Sequence, residues 1–144
     1  MKIADLEVIQ IGRPKELGDG GKGEFLVSPL SVFSDRGRAS DEFFVGLRGG
    51  PIYAVLVRIT TDEGIYGLGS VGVGSGAAAY VLEHHLKPIL LRQDPFDVEL
   101  LWEKMFFSSG QLGSAAVAAI SGIDIALWDL FGRATGRPIA QLLG

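Results

Sequence analysis

The sequence of 144 residues contains no cysteine, which excludes disulfide bonds, thiolate nucleophiles and cysteine-ligated zinc sites. It also lacks a basic excess: 13 Lys and Arg against 17 Asp and Glu give a formal net charge of −4. The basic side chains are scattered, so we expect no nucleic-acid binding. The two histidines, His84 and His85, are neighbours. On a helix they would point about 100° apart, so they cannot share a metal ion.

Targeting and membrane-spanning segments are not expected either. Asp5 stands near the N-terminus, without the long apolar core of a signal peptide. The longest apolar stretch, residues 115–130, is interrupted by Asp124 and Asp129, which argues against membrane insertion. The cytoplasm is therefore the default compartment. The apolar content of 47% is high for a free-standing domain and favours apolar surface that a partner or a neighbouring domain covers.

The first half of the sequence predicts a small β-sheet with a long insertion. A first strand is expected from Ile3 to Ile11 and a second from Ile52 to Thr61. The turn Thr61-Asp62-Glu63-Gly64 and a return strand give a hairpin over residues 52–70, and so a three-stranded antiparallel meander. The stretch from Gly12 to Pro51 is too long and too glycine-rich for an ordinary loop, and we predict a substrate lid there.

The second half, residues 77–144, predicts helices, so the fold class is α+β. Ser75 is expected to cap a helix that ends before Pro88, and Asp94 to cap the next. Ser114 is expected to cap a third helix that runs to about Thr135.

Two apolar stripes follow from helical spacing. On the second helix the predicted buried residues are Val98, Leu101, Trp102 and Met105. The third helix has a wider stripe, which suggests burial on two sides: Ala116, Ile120, Ile123, Leu127, Leu130 and Ala134, broadened by Val117, Trp128 and Phe131.

A glycine motif follows the hairpin and has two readings. Gly67-Leu68-Gly69-Ser70-Val71-Gly72 fits the G-x-G-x-x-G pattern of dinucleotide sites. However, its strand is the return arm of a hairpin and not the first strand of a βαβ unit. We therefore favour a tight exit of the chain from the sheet, with backbone close to a ligand.

Two carboxylates interrupt the apolar third helix. Asp129 precedes Arg133 by four residues, a spacing that predicts an ion pair. Asp124 has no such partner on its helix. A buried carboxylate needs a donor, so we predict a structural hydrogen bond to another element, with catalysis as the alternative.

The last third carries a family resemblance. The run from Ala118 to Leu130, then Gly132-Arg133, Gly136-Arg137-Pro138 and the run from Gln141 to Gly144, resembles the end of the N-terminal capping domain of the mandelate racemase/muconate lactonizing group, within the enolase superfamily. The resemblance implies that residues 1–144 are a capping domain whose lid closes over a substrate. A following (β/α) barrel, absent from this chain, would hold magnesium with carboxylates and abstract a proton α to a carboxylate through Lys or His.

Nothing of that catalytic set maps onto this chain, whose five lysines contain no Lys-x-Lys pair. We therefore expect no catalytic or metal residue in it, no cofactor bound to it, and no activity of the chain alone. Its end at Gly144 is expected to coincide with a domain boundary of a longer enzyme.

A narrower resemblance concerns the predicted lid. The run from Ser28 to Phe33, followed by Arg36 and Arg38, is similar to rhamnonate dehydratase-like members, which remove water from a sugar acid. Glu24 and Phe25 stand where those members carry a histidine–aromatic pair. The candidate substrate-binding residues are therefore Glu24, Phe25, Arg36 and Arg38. The two arginines could equally be solvated loop charges.

Three functions remain open at this point. The first is a magnesium-dependent sugar-acid dehydratase, of which this is the capping domain. The second is a racemase or cycloisomerase of the same superfamily. The third is a non-catalytic truncated or excised domain with an interaction role. The expected partners are an acid-sugar or other carboxylate substrate, the missing C-terminal barrel and further copies in a homo-oligomer, but no nucleic acid and no membrane.

Overall fold

The computed structural model describes residues 1–12, 52–71 and 75–144. Contacts divide the chain into two compact units, Met1–Gln10 with Ala54–Gly144, and Ile11–Tyr53. Of the second unit, the described residues are Ile11, Gly12, Ile52 and Tyr53. The predicted lid therefore lies almost wholly outside the described residues, and its role stays a prediction.

The three predicted strands form one sheet. They are β1 (Ile3–Gly12), β2 (Ile52–Thr61) and β3 (Tyr66–Val71), and the sheet order is β1-β2-β3. β2 and β3 pair antiparallel, with Val57 opposite Gly69. Between them Gly64 adopts φ +81°, and the Thr61 N–H donates to the Ile65 carbonyl at 2.9 Å. The predicted meander and its turn are confirmed.

Five α-helices and one π-helical segment follow in the described part of the chain. They are α1 (Ser75–Val81), the π segment (Leu82–Leu86), α2 (Lys87–Leu90), α3 (Val98–Ser108), α4 (Gly113–Thr135) and α5 (Ile139–Leu143). Gly136 ends α4 in the left-handed conformation (φ +66°), as its position after the apolar run predicts.

The predicted end of the first helix before Pro88 is wrong. Helical structure continues through Pro88 to Leu90, by way of the π segment. The Lys87 N–H donates to the carbonyl of Leu82, five residues back. Pro88 then falls in the first turn of α2, the part of a helix where proline is best tolerated.

The two later cap predictions are also wrong. The Asp94 carboxylate accepts from the Phe96 N–H at 3.0 Å, and so closes a turn before α3 instead of capping the helix. Asp97 occupies the N-cap position of α3, without a side-chain hydrogen bond. Ser114 is the second residue of α4, whose N-cap position is Leu112. Short polar side chains stabilise turns as well as helix starts, which makes their position an ambiguous signal.

Helix α4 covers the inner face of the sheet. The β2 residues Val55, Val57 and Ile59 are fully buried beneath the helix, whose residues Ala116, Ile120, Ile123, Leu127 and Leu130 are also buried. Of the predicted stripe, Ala134 is only half-buried. By length and mean hydropathy (1.5) α4 would pass for a membrane span, but 44% of that window is buried inside the domain. It is the core helix of this unit.

The outer sides of α3 and α4 depart from the predicted pattern. Trp102 was expected in the buried stripe of α3 but is 39% exposed, and Val117 on α4 is 59% exposed. Val98, Leu101 and Met105 are buried as predicted. Position 102 lies at the boundary of the buried face, and its indole stacks instead on Phe106, one turn further along the exposed side.

Candidate functional site

The four candidate substrate-binding residues, Glu24, Phe25, Arg36 and Arg38, lie outside the described residues. Their roles remain predictions. The segment that contains them follows β1 and precedes β2 in the chain. The described residues themselves form two clefts and several polar contacts.

The glycine motif of β3 packs against a helix. A side chain on Gly67 would overlap the Ala126 carbonyl oxygen of α4, and one on Gly69 would overlap the Gly122 carbonyl oxygen. Both strand residues are buried and face inwards. The expectation that this backbone lies close to a ligand is therefore wrong for Gly67 and Gly69, because helix α4 occupies that space.

The contact is reciprocal, since the helix also contributes a glycine. A Cβ atom on Gly122 would lie 2.8 Å from Val71 Cγ2 and 3.3 Å from Val57 Cγ2. Residues without side chains on both surfaces let a helix and a strand approach more closely than side chains allow. The close approach accounts for the glycines of β3 without a nucleotide.

A polar network lies along β3, an edge strand of the sheet that the described residues form. The Asp129 carboxylate Oδ2 accepts from the Arg133 Nε–H at 2.9 Å, which confirms the predicted ion pair. The same oxygen accepts from the Leu68 N–H of β3 at 2.9 Å. The Arg133 and Arg58 guanidinium carbons lie 4.5 and 4.6 Å from the centroid of the Tyr66 ring. Asp129 thus joins α4 to an edge strand whose N–H groups would otherwise be open to another strand.

A cleft of about 190 Å³ lies between α3 and α4. Its lining is largely apolar, with one carboxylate: Trp102, Phe106, Val117, Ile120, Ser121 and Asp124. The Trp102 and Phe106 rings stack with centroids 4.8 Å apart and planes inclined by 10°. Only the spacing of Trp102 and Phe106, four residues apart on one helix face, points to this cleft in the sequence.

Asp124 does not make the predicted hydrogen bond to another element within the described part of the chain. Its side chain is half-buried in the α3–α4 cleft. Burial raises the pKa of the Asp124 carboxyl above its ordinary value, and the nearby Glu99 carboxylate raises it further. Both effects disfavour the ionised form.

The histidines do not form a site with each other. The His85 Nε2 lies 3.1 Å from the Ser108 carbonyl at the end of α3. The His84 ring packs on Tyr80, with centroids 4.4 Å apart. Over residues 1–12, 52–71 and 75–144, no group of three His, Asp or Glu side chains lies close enough to hold a metal ion. The described residues therefore do not fit a magnesium site.

A second cleft, of about 450 Å³, lies where α4 turns into α5. Asp129, Arg133 and Arg137 line it, together with the backbone around Gly136. Its two arginines suit an anion, but Arg133 is already paired with Asp129. The carbonyl end of a helix, which repels anions, also opens there.

The sequence and the fold are similar to those of known proteins. Residues 51–144 match the family described as mandelate racemase/muconate lactonizing enzyme, N-terminal domain. The chain is 41% identical over 103 residues to an arabinonate dehydratase from Saccharolobus solfataricus, covering 69% of this chain and 28% of that protein. It is 42% identical over 92 residues to a D-galactonate dehydratase from Verminephrobacter eiseniae, covering 62% and 24%.

Solved structures of the same group have a similar fold. A mandelate racemase/muconate lactonizing protein from Paracoccus denitrificans, crystallised with magnesium, matches with a TM-score of 0.70 and 27% identity over 99% of this chain and 30% of that one. The chain spans about a quarter of the length of the curated relatives that it matches. Because the family match covers the sheet from β2 onwards and every helix of the described residues, the chain belongs to the N-terminal domain family of mandelate racemases and muconate lactonizing enzymes, in the enolase superfamily.

Proposed function

We propose that this chain is the substrate-capping domain of a cytoplasmic, magnesium-dependent sugar-acid dehydratase. In such a reaction a base removes the proton α to the substrate carboxylate and the β-hydroxyl leaves as water. The observation that carries the proposal is the 41% identity to the arabinonate dehydratase, supported by the 42% identity to the D-galactonate dehydratase. Both of these relatives act on sugar acids by name.

The order of the strands supports a lid in this proposal. β1 ends at Gly12 and the neighbouring strand β2 begins at Ile52, so the predicted lid starts and finishes on adjacent strands. In the proposal Arg36 and Arg38 pair with the acidic group of the substrate, and Glu24 and Phe25 are further candidate contacts to the substrate.

Magnesium has no ligand set among the described residues of this chain. In the proposal the metal and the catalytic base therefore belong to the C-terminal barrel, and the Paracoccus denitrificans structure with magnesium supports a metal in the complete enzyme. The capping domain contributes by binding the substrate and excluding water from it. It contributes no proton transfer.

The test uses the complete enzyme that contains this chain. Arabinonate, galactonate and rhamnonate are incubated with it, and formation of the 2-keto-3-deoxy acid is measured before and after removal of divalent metal. We expect product from at least one acid and loss of activity with EDTA that magnesium restores. The Arg36→Ala and Arg38→Ala variants should raise KM by at least about tenfold, the effect of losing a charge-assisted hydrogen bond.

The Lys22→Ala variant is the matched control, since it removes a cation from the same segment outside the candidate set. An equal rise of KM in all three variants would contradict a specific role of the arginines. Exchange of the α-proton with deuterium, without loss of water, would instead favour the racemase or cycloisomerase alternative. Absence of both reactions with every acid would favour the non-catalytic alternative.

A further inference from the structure

The cleft between α3 and α4 has no part in the proposed function, and its lining has a definite pattern. On α3, the lining residues Trp102 and Phe106 are four residues apart and share one helix face, while Glu99, outside the lining, stands three residues before Trp102. On α4, Val117, Ser121 and Asp124 follow the i, i+4, i+7 spacing of another. Two outward stripes therefore meet in one cleft, with aromatic rings on one wall and a carboxylate on the other.

The size of the cleft limits what it can bind. Its volume of about 190 Å³ is below the roughly 300–1,000 Å³ of sites for small molecules. Apolar surface continues beyond it, since Phe106 is 44% exposed and Phe107, in edge contact with Phe106, is 77% exposed. A cleft for one side chain, surrounded by apolar surface, is typical of an anchor site in a protein–protein interface.

The charges in the cleft select the chemistry of that side chain. Asp124 lines it, Glu99 stands close enough to act on Asp124, and no basic residue is among the described residues that line it. The faces of stacked aromatic rings attract cations as well. A cation entering the cleft would meet both a carboxylate and aromatic rings, and would remove the repulsion between Asp124 and Glu99.

A planar cation suits this wall better than an ammonium ion. The guanidinium group stacks on aromatic faces, is weakly hydrated and can donate two parallel hydrogen bonds to one carboxylate. A second copy of the same surface is a poor occupant, because a two-fold contact would bring Asp124 and Glu99 of both copies together. We propose that the α3–α4 cleft binds an arginine side chain presented, between apolar residues, by a protein partner.

The experiment titrates three peptides into the 144-residue chain. Each is a pentapeptide with leucines flanking a central arginine, lysine or citrulline, the last being an uncharged near-copy of arginine. Trp102 is one of two tryptophans, so in a Trp128→Phe background its fluorescence reports on the cleft alone. We expect a saturable change with the arginine peptide, binding weaker by about tenfold with citrulline, and intermediate binding with lysine.

Two variants separate this site from general attraction by an acidic protein. Asp124→Asn should remove the preference for arginine over citrulline. Glu103→Gln, which removes an exposed charge from α3 outside the cleft, should leave it unchanged. Ser121→Phe, at an exposed position in the lining, should abolish binding by filling the cleft. Circular dichroism checks the fold of each variant, and sedimentation measures its association.

Several results would overturn the proposal. One is equal affinity for the arginine and citrulline peptides, or for arginine and lysine. Another is an equal effect of Asp124→Asn and Glu103→Gln. A third is no change of Trp102 fluorescence with any peptide. Finally, self-association of the chain that Trp102→Ala abolishes, without peptide binding, would show that a second copy covers the cleft.

Discussion

Gly69 of β3 and Gly122 of α4 lie against each other so closely that a side chain on Gly69 would overlap the Gly122 carbonyl oxygen. Gly67 stands in the same relation to Ala126, one turn further along the helix. These contacts involve backbone atoms, which cannot move away without shifting the whole helix. The distance between α4 and the sheet is therefore fixed by glycine.

The Gly69→Ala variant should lose at least about 3 kcal/mol of unfolding free energy, since overpacking against backbone has no rotamer that relieves it. Urea denaturation followed by circular dichroism measures the loss. Gly110→Ala is the control, because a Cβ at Gly110 would meet no atom within 4 Å. It should change stability by less than about 0.5 kcal/mol. Similar effects of both variants would show that α4 can shift away from β3.

Asp129 accepts hydrogen bonds from both Arg133 and the Leu68 N–H, so substitutions that remove one or both contacts should differ in their effect on stability. Asp129→Ala removes both the ion pair with Arg133 and the acceptor of the Leu68 N–H, and should cost about 1–2 kcal/mol. Asp129→Asn keeps an acceptor oxygen and loses only the ion pair, so about 0.5 kcal/mol is expected. Hydrogen exchange at the Leu68 amide should accelerate strongly in the alanine variant and little in the asparagine variant. Equal exchange in the two variants would contradict the strand contact.

Local patterns in the sequence predicted the strands and their turn. β2 alternates apolar residues with a period of two, and Gly64 supplies the positive φ that the turn requires. The Asp129–Arg133 pair follows from helical spacing alone. Each of these features depends on residues close together in the chain, so sequence reasoning suffices.

Contacts between distant segments could not be predicted in this way. The glycines of β3 resemble a ligand motif until α4 is seen against them, more than fifty residues later in the chain. Asp94 and Ser114 are both residue types that commonly cap helices. Asp94 closes a turn before its helix instead, and the helix of Ser114 begins one residue earlier, so neither side chain is a cap. The α3–α4 cleft could not be predicted either, because Trp102 and Asp124 come into one cleft only when the two helices pack together. The predicted lid residues lie outside the described part.

A strained backbone position offers a stabilising substitution. Arg92 has φ +67°, a left-handed conformation that side chains disfavour, and its N–H donates to the Ile3 carbonyl at 2.8 Å. Arg92→Gly keeps that hydrogen bond and removes the strain. After allowance for the greater freedom of glycine in the unfolded chain, we expect a gain of about 0.5 kcal/mol, seen as a higher melting temperature. Arg137→Gly, without a positive φ to relieve, should lower it.

The exposed pair of Asp5 and Lys87 joins β1 to α2, with 2.7 Å between Oδ1 and Nζ. The hydrogen bond from Lys87 holds the pKa of the Asp5 carboxyl below its ordinary value of 3.8. The ionised carboxylate therefore stabilises the fold above that value, and the contribution is lost as the pH falls through the lowered pKa. Asp5→Asn should cost up to about 0.5 kcal/mol at neutral pH and nothing in strong acid. A loss that persists in acid would indicate a role other than the ion pair.

Asp124 should show the opposite pH dependence. Burial in the α3–α4 cleft, and then the Glu99 carboxylate, raise the pKa of Asp124 above 3.8. Folding therefore favours the protonated form, and stability is lost as the pH rises from 3.8 through the raised pKa. Asp124→Asn, which stays neutral, should be more stable than the parent chain at neutral pH, by up to about 1 kcal/mol. In strong acid both chains are uncharged at this position, and the difference should vanish. Urea denaturation of the two chains across this range, with Asp5→Asn as the comparison of opposite sign, tests the prediction. A neutral-pH stability of Asp124→Asn at or below that of the parent would show that the carboxylate already has a donor.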